Sequence, residues 1–183
     1  MDKILVTGGL GFIGSHTVVE LQNNGYRVII IDDLSNSSLD VLHRISTITG
    51  ITPEFEQIDL KNKAKVTNFF KSNNDLKGVI HFAASKAVGE TTEQPLMYYE
   101  NNINTLVYIL QELEKANHAN FIFSSFCTVY GQADELPITE NAPVKRAESP
   151  YGNTKQIGEE IIQDVCSVNS NMDAIALRYF NPI

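Results

Sequence analysis

Two residues with complementary proton chemistry, Tyr151 and Lys155, stand four positions apart in the last third of the chain. On an α-helix this spacing places both side chains on one face. A tyrosine titrates near ~10, and a nearby lysine charge favours the phenolate, so Tyr151 is a candidate proton donor and acceptor near neutral pH. An ordinary amphipathic pair has the same spacing. The pair therefore needs support from the rest of the chain before it indicates a site.

A glycine-rich segment close to the N-terminus supplies that support. Glycines at positions 8, 11 and 14 form G-x-x-G-x-x-G, which differs in its first spacing from the dinucleotide fingerprint G-x-G-x-x-G. A β-branched run at residues 4–7 precedes it, and helical apolar spacing follows from residue 15. Glycine lets the backbone turn with positive φ and approach a pyrophosphate, and the following helix N-terminus presents N–H groups. The segment predicts a strand, a phosphate loop and a helix, although a structural turn has the same glycines.

An acidic residue follows the second predicted strand. Residues 26–31 form an apolar run without alternation, as expected of a strand covered on both faces, and Asp32 comes eighteen residues after Gly14. A carboxylate in this place accepts hydrogen bonds from the adenosine ribose and repels a 2′-phosphate. Asp32 therefore predicts NAD rather than NADP. The neighbouring Asp33 is interpreted as a solvated acid at the strand end.

The composition restricts the class of partner. The 183 residues include 22 acidic and 14 basic side chains, which give a formal net charge of −8, and 43% are hydrophobic. With no basic stripe, we expect neither nucleic acid nor a membrane surface as a partner. Cys127 and Cys166 fit no metal spacing, and we predict no metal site. Two thiols, short apolar runs and an N-terminus that enters a strand almost at once predict a cytoplasmic protein.

Helical and strand patterns alternate along the whole chain. Strands are predicted at residues 4–7, 26–31, 53–58, 78–84, 120–125 and 174–179, with helices at 15–24, 39–48, 61–72, 95–116 and 151–169. This order implies right-handed parallel crossovers. The predicted fold class is α/β, a Rossmann-like doubly wound parallel sheet with helices on both faces, in one domain that covers residues 1–183.

Two further polar positions have an open interpretation. Asp59 ends the third predicted strand, where it either caps the helix that follows or bonds the adenine of a bound cofactor, and the two roles are compatible. Asn101 and Asn102 lie inside a predicted helix although asparagine is a poor helix former. We therefore expect at least one of these asparagines to have a specific role.

Several motifs together resemble those of the extended short-chain dehydrogenases/reductases, and most closely those of the UDP-glucose 4-epimerases within that family. The resemblance spans the whole chain. Two of the segments, at residues 86–90 and 179–182, favour epimerases over the sister decarboxylases and dehydratases that act on nucleotide sugars. The matching segments are residues 6–16, His81-Phe82-Ala83-Ala84-Ser85-Lys86-Ala87-Val88-Gly89-Glu90, Tyr98-Tyr99-Glu100-Asn101-Asn102, residues 121–131, Ser149-Pro150-Tyr151-Gly152, and Arg178-Tyr179-Phe180-Asn181-Pro182.

The resemblance implies an isomerase of galactose metabolism that interconverts UDP-galactose and UDP-glucose through a 4-keto intermediate. It implies a firmly held NAD that takes hydride from C4 of the sugar while Tyr151 removes the C4 hydroxyl proton, and both return to the opposite face. Lys155 would bond the nicotinamide ribose and lower the pKa of Tyr151. A different nucleotide-sugar short-chain enzyme, a decarboxylase or a dehydratase, and a non-catalytic dinucleotide-binding module stay as alternatives, and a homodimer stays open.

The resemblance also assigns the site residues. It implies that the catalytic residues are Tyr151 and Lys155 and that the UDP-sugar contacts include Lys86, Tyr151, Phe180 and Asn181. The residues implied to contact NAD are Gly8, Gly11, Phe12, Ile13, Gly14, Asp32, Asn36, Ser37, Asp59, Leu60, Phe82, Ala83, Ala84, Lys86, Asn101, Ser124, Tyr151, Lys155 and Tyr179.

The chain departs from the family pattern in two respects. Where the family has a second Ser or Thr that bonds the substrate oxygen, this chain has Phe126, and neither Ser125 nor Thr128 is expected to replace that hydroxyl. A lost group of this kind costs roughly 10²–10³ in rate, by analogy with oxyanion-hole donors. The family also carries a smaller substrate domain after the position where this sequence stops. We therefore expect a cofactor-binding portion whose catalytic activity is impaired.

Overall fold

Strands and helices alternate in the computed structural model, which describes residues 1–86, 93–116 and 119–181. Residues 87–90 and Pro182, which carry part of the family resemblance, lie outside these ranges. Among the described residues the elements are, in chain order, β1 Lys3–Thr7, α1 Phe12–Asn23, β2 Arg27–Asp32, α2 Asp40–Thr49, β3 Glu54–Gln57, α3 Lys63–Ser72, β4 Leu76–His81, α4 Pro95–Leu113, β5 Ala119–Ser124, a 3-10 helix Cys127–Tyr130, α5 Pro150–Val168 and β6 Met172–Leu177.

Within the described ranges, the strands form one parallel sheet in the order β3-β2-β1-β4-β5-β6. The chain builds outward from β1 to β3 and then returns to add β4 on the other side of β1. This reversal creates a crevice at the carboxyl ends of β1 and β4, the usual place for a ligand in such sheets. The predicted Rossmann-like doubly wound fold is confirmed.

Alternate residues of the central strands pack against helices on opposite faces of the sheet. Leu5 and Ile31 belong to a hydrophobic cluster shared with α3, α4 and α5, while Val6 and Ile30 belong to a second cluster shared with α1 and α2. Burial on both faces explains why these strands are apolar without alternation. The edge strand β6 is less covered, since Ile175 is 58% exposed.

The helix boundaries follow local capping chemistry and correct one prediction. Gly25 has a φ of 81° just after α1, and Gly50 has a φ of 73° at the end of α2, so glycine closes both helices. Helix α3 is capped by Asn62, whose side chain accepts from the Lys65 N–H. Asp59 instead accepts from the N–H of Lys61 in a turn before the helix, so its predicted capping role is wrong.

No helix among residues 1–86, 93–116 and 119–181 is both long enough and apolar enough to cross a membrane.

Candidate cofactor-binding and catalytic site

A cavity of about 890 Å³ lies at the carboxyl ends of the strands, where the sheet order reverses. It brings together residues that are far apart in the sequence, from the glycine loop to the segment after β6. Every site residue expected from the sequence lines it except Phe180, which is 49% exposed. The cavity is also lined by residues that had not been expected, among them Asp33, which the sequence analysis interpreted only as a solvated acid; the others are Ile31, Ser35, Ile58, Lys61, Ser85, Met97 and Thr105.

The glycine loop between β1 and α1 is packed too tightly for side chains at two of its positions. A Cβ on Gly14 would lie 2.3 Å from the carbonyl oxygen of Gly8, and a Cβ on Gly8 would lie 2.8 Å from the Ala83 nitrogen. Gly8 also has a φ of 65°, a conformation that side chains disfavour. The glycines therefore serve close backbone approach, as the motif predicts.

The N-terminus of α1 opens into the cavity beside this loop. Its cap residue is Gly11, which has no side chain that could accept from the N–H groups of the first turn. Phe12, Ile13 and Gly14 in that turn line the cavity. Backbone N–H groups and the helix dipole at this point favour an anionic group such as a phosphate.

Asp32 joins the end of β2 to the glycine loop. Its Oδ2 accepts a hydrogen bond of 3.1 Å from the Leu10 N–H, and its Oδ1 accepts from the Leu34 N–H at 3.0 Å. The hydroxyl of Ser37 donates to the same Oδ1 at 2.7 Å. The carboxylate is thus buried among hydrogen-bond donors, and it lines the cavity where an adenosine ribose is expected.

The end of β4 is held by a buried pair of polar side chains. Thr7 Oγ1 and His81 Nδ1 lie 2.7 Å apart across β1 and β4, and His81 is stacked near Phe123. Burial, and secondly the charge of Lys155, lower the pKa of His81 to about 3. His81 is therefore neutral near pH 7 and fixes the strand end that continues into Phe82, Ala83 and Ala84 at the cavity.

The expectation that one of two asparagines has a specific role is met by both. Asn102 is buried, and its side chain accepts from the Ser85 N–H at 2.8 Å and donates to the Ser85 carbonyl and to Thr154 Oγ1 at 3.1 Å. Asn101 lines the cavity and donates to Ser85 Oγ at 3.0 Å. Together they tie α4 to the loop after β4 and to α5, which is why asparagine is placed inside a helix.

Tyr151 and Lys155 lie on one face of α5, as predicted, and both line the cavity. Their electrostatics differ from the prediction. Burial raises the pKa of Tyr151 to about 12, and burial lowers the pKa of Lys155 to about 8. The Lys155 Nζ is 5.6 Å from the centre of the Tyr151 ring and donates to the Ser124 carbonyl at 2.6 Å. The expected lowering of the phenol pKa is therefore not found in this chain, because burial and, after it, the neighbouring Tyr179 and Cys127 disfavour the charged phenolate.

Phe126 lies at the position where the family motif has a hydroxyl, and its ring lines the cavity. The ring meets Tyr151 edge-on at 6.2 Å between centroids and Tyr179 at 6.4 Å. Ser125 is fully buried and donates to Glu159, and neither Ser125 nor Thr128 lines the cavity. An aromatic surface therefore replaces the hydrogen-bonding group beside Tyr151.

The segment after β6 completes the cavity on its far side. The Tyr179 hydroxyl donates to Ser124 Oγ at 2.5 Å, and the Tyr179 carbonyl accepts from the Cys127 N–H at 3.1 Å. Asn181 and the exposed Lys86 also line the cavity, whereas Phe180 does not. Of the residues expected to contact a UDP-sugar, Phe180 alone is not brought to this cavity.

Sequence reasoning missed a group of supporting residues. Thr7, His81, Glu159 and Arg178 hold cavity residues through buried or half-buried polar contacts. Glu159 had a usable signal, because it lies four residues beyond Lys155 and so shares a helix face with the proposed catalytic pair. The others have ordinary strand and helix positions, and only packing shows their contacts.

One cavity is surrounded by a glycine loop, an acid after the second strand and a helix that carries the Tyr-Lys pair. This arrangement defines a dinucleotide-binding α/β protein of the short-chain dehydrogenase/reductase type. Residues 4–183 match the NAD dependent epimerase/dehydratase family, and the chain belongs to that family. The family resemblance found from the motifs is confirmed.

Known relatives are similar over the whole of this chain. It is 46% identical over 182 residues to the UDP-glucose 4-epimerase of Dictyostelium discoideum, and the match covers 100% of this chain and 52% of that protein. It is 44% identical over 183 residues to the enzyme of Neisseria meningitidis serogroup B, which covers 100% and 54% respectively. The chain therefore spans about half the length of the relatives that it matches.

Solved structures give the same picture. The UDP-glucose 4-epimerase from Bifidobacterium longum, in complex with NAD+ and UDP, superposes with a TM-score of 0.95 at 43% identity. The match covers 100% of this chain and 54% of that one. The enzyme from Stenotrophomonas maltophila, with bound NAD and formylated UDP-arabinopyranose, superposes with a TM-score of 0.94 at 39% identity over the same shares.

Proposed function

We propose that this chain binds NAD and forms the cofactor-holding part of a UDP-glucose 4-epimerase that interconverts UDP-galactose and UDP-glucose. The observation that carries the proposal is one continuous cavity that joins the glycine loop and Asp32 to Tyr151 and Lys155. The order of these groups along the cavity suits a dinucleotide, with phosphates at α1, one ribose at Asp32 and the nicotinamide half beside Tyr151. The names of the relatives support the same activity.

The residues present fit NAD. Gly8 and Gly14 allow the close backbone packing that shapes the loop beside α1, and Asp32 presents a carboxylate that disfavours a 2′-phosphate. NAD, when it is bound, would accept a hydride and return it. Burial raises the pKa of Tyr151 to about 12, so the phenol is neutral near pH 7, and it lines the cavity as the side chain that would pass a proton to and from the sugar hydroxyl. Lys155 orients this end of the cavity from its bond to Ser124.

Fewer residues of this chain are proposed to contact the UDP-sugar than to contact NAD. Lys86 and Asn181 line the cavity and are proposed to contact the UDP-sugar, as is Phe180 from outside it.

We also propose that residues 1–183 are one NAD-binding domain, that the family's smaller substrate domain is not among them, and that the assembled enzyme is a homodimer. The cytoplasm is the proposed compartment, in keeping with the thiols of Cys127 and Cys166.

A second candidate function is supported by Phe126. Its ring stands where the family motif has a hydrogen-bonding group beside Tyr151, and Ser125 and Thr128, the hydroxyl residues on either side of it in the motif, do not line the cavity. A chain of this kind would hold NAD without efficient turnover and act as a dinucleotide-binding module. A nucleotide-sugar decarboxylase or dehydratase is the remaining alternative within the enzymes, and the reaction product distinguishes it.

The proposal is tested by binding first and by product second. Calorimetric titration of the purified chain with NAD, NADP and ADP-ribose should show binding of NAD and ADP-ribose and weaker binding of NADP. A chain of the relatives' full length is then given UDP-galactose, and UDP-glucose is the expected product. No binding of NAD would contradict the proposal, and a 4-keto-6-deoxy or pentose product would assign the chain to a sister enzyme.

A further inference from the structure

A carboxylate lies one helical turn beyond the proposed catalytic pair on the same face of α5. Tyr151, Lys155 and Glu159 are spaced by four residues each, so all three side chains face the carboxyl ends of β5 and β6. The side chain of Glu159 is only 15% exposed. A carboxylate this far removed from water needs partners that compensate its charge and fill its lone pairs.

The carboxylate of Glu159 accepts hydrogen bonds from residues of two different chain segments. The guanidinium of Arg178, directly after β6, donates to Oε1 through Nε at 3.0 Å and to Oε2 through Nη2 at 2.5 Å. The hydroxyl of Ser125, directly after β5, donates to Oε1. Arg178 is itself placed over the Tyr130 ring, 5.0 Å from its centroid. The bidentate ion pair thus ties three chain segments to one carboxylate.

Each residue fixed by Glu159 is next to a residue that lines the cavity. Arg178 precedes Tyr179, and Ser125 lies between Ser124 and Phe126. The Tyr179 hydroxyl donates to Ser124 Oγ, and Lys155 donates to the Ser124 carbonyl. A shift of Arg178 or Ser125 would therefore move the groups that surround one end of the cavity. Among the contacts described above, the glycine loop and Asp32 at the other end have no bond to Glu159, Arg178 or Ser125.

We propose that Glu159 is a positioning residue for the nicotinamide end of the cavity, where it sets Tyr179 through Arg178 and sets Ser124 through Ser125. This inference rests on the proposed function, because it requires the nicotinamide half of NAD to lie beside Tyr151, Lys155 and Tyr179. Glu159 itself does not line the cavity, so its effect passes through its neighbours. The charge of Glu159 also raises the pKa of Lys155 against the larger effect of burial, which helps Lys155 to keep its proton.

The experiment compares two ligands that differ only at the end in question. ADP-ribose shares the adenosine and pyrophosphate of NAD but lacks nicotinamide. We expect Glu159→Gln to weaken NAD binding about tenfold in calorimetry, since charge-assisted bonds to Arg178 and Ser125 are lost. ADP-ribose binding should change less than about twofold, since it depends on the glycine loop and Asp32. Glu160→Gln, an exposed neighbour on the same helix, is the matched control and should bind both ligands as the parent does.

Variants of Arg178 separate positioning from general loss of structure. Arg178→Met should reproduce the selective loss of NAD affinity, and Arg178→Lys, which keeps a positive charge against Glu159, should restore much of it. The double variant Glu159→Gln with Arg178→Met should bind NAD no more weakly than either single variant, because the two residues act as one unit. These variants remain informative if Glu159→Ala fails to fold.

Two results overturn the inference. One is equal weakening of NAD and ADP-ribose, which would show that Glu159 supports the whole domain. The other is unchanged NAD binding in both Glu159→Gln and Arg178→Met. Failure of the proposed function is a distinct outcome, since in that case the parent chain itself binds neither ligand.

Discussion

Lys155 Nζ donates a hydrogen bond of 2.6 Å to the carbonyl oxygen of Ser124, so the ammonium group is anchored to the end of β5. It lies 4.8 Å from the centre of the Phe123 ring and 5.6 Å from that of Tyr151. Lys155 is therefore held by a backbone carbonyl and two aromatic faces in a place with little water. The relationship explains how a lysine that is 3% exposed is retained in the core beside the cavity.

Asp32→Asn should weaken NAD binding and reduce the preference for NAD over NADP. The change keeps the size of the side chain but removes the charge that accepts from Leu10 and Ser37 and that repels a 2′-phosphate. We expect about a tenfold loss of NAD affinity, equivalent to about 1.4 kcal/mol. Calorimetry with both dinucleotides measures it, and Asp40→Asn is the control, because that exposed carboxylate lies in the first turn of α2 and does not line the cavity. Equal effects of the two substitutions would remove Asp32 from the proposed ribose contact.

Gly14→Ala should destabilise the domain and abolish NAD binding. The new methyl group would lie 2.3 Å from the Gly8 carbonyl oxygen, which is backbone and has no flexible side chain to move. Overpacking of this kind costs about 1–3 kcal/mol, measurable by urea denaturation. Gly25→Asn is the matched control, because a Cβ on Gly25 meets nothing within 4 Å and asparagine tolerates its φ of 81°. A stable Gly14→Ala chain that binds NAD normally would contradict the packing argument.

His81 should make the domain sensitive to acid. Its pKa is lowered to about 3 in the folded chain by burial and by Lys155, against about 6.5 when unfolded, so the unfolded chain binds the extra proton between these values. The free energy of unfolding must then decrease as pH falls from about 6.5 towards about 3.

The effect is measured as urea midpoints between pH 7 and pH 4. His81→Gln, which does not titrate, should show a shallower decrease, by up to about 1.4 kcal/mol per pH unit. The exposed His43→Gln variant should retain the slope of the parent chain. Parallel curves for the parent and His81→Gln would contradict the prediction, because they would show that His81 binds its proton equally well in the folded and unfolded chains.

Phe126→Ser should raise turnover in a chain of the relatives' full length. It returns a hydroxyl beside Tyr151 and removes a ring that faces both Tyr151 and Tyr179. The expected gain is roughly 10²–10³ in kcat with UDP-galactose, by analogy with a restored oxyanion donor. Phe126→Leu is the control, since it reduces the bulk without supplying a hydroxyl. Equal rates for Phe126→Ser and Phe126→Leu would mean that the hydroxyl is not the missing element.

Most of the fold follows from local sequence patterns. The alternation of strands and helices, the glycine loop and the position of Asp32 after β2 all depend on residues close together in the chain. Hydrophobic periodicity and turn residues report such short-range structure directly. The position of each strand was therefore predicted to within a few residues, and the parallel order followed from the helical crossovers.

The sequence by itself determined which chemical groups are available and that a glycine loop and a Tyr-Lys helix belong to one dinucleotide-binding fold. Only the tertiary structure decided that Asn62 rather than Asp59 caps α3, that burial raises the pKa of Tyr151, and that Glu159 joins Ser125 to Arg178. Capping depends on backbone angles at a helix start, whereas the pKa and the ion pair depend on which distant elements exclude water around a group. These are properties of packing, so residue type and spacing do not specify them.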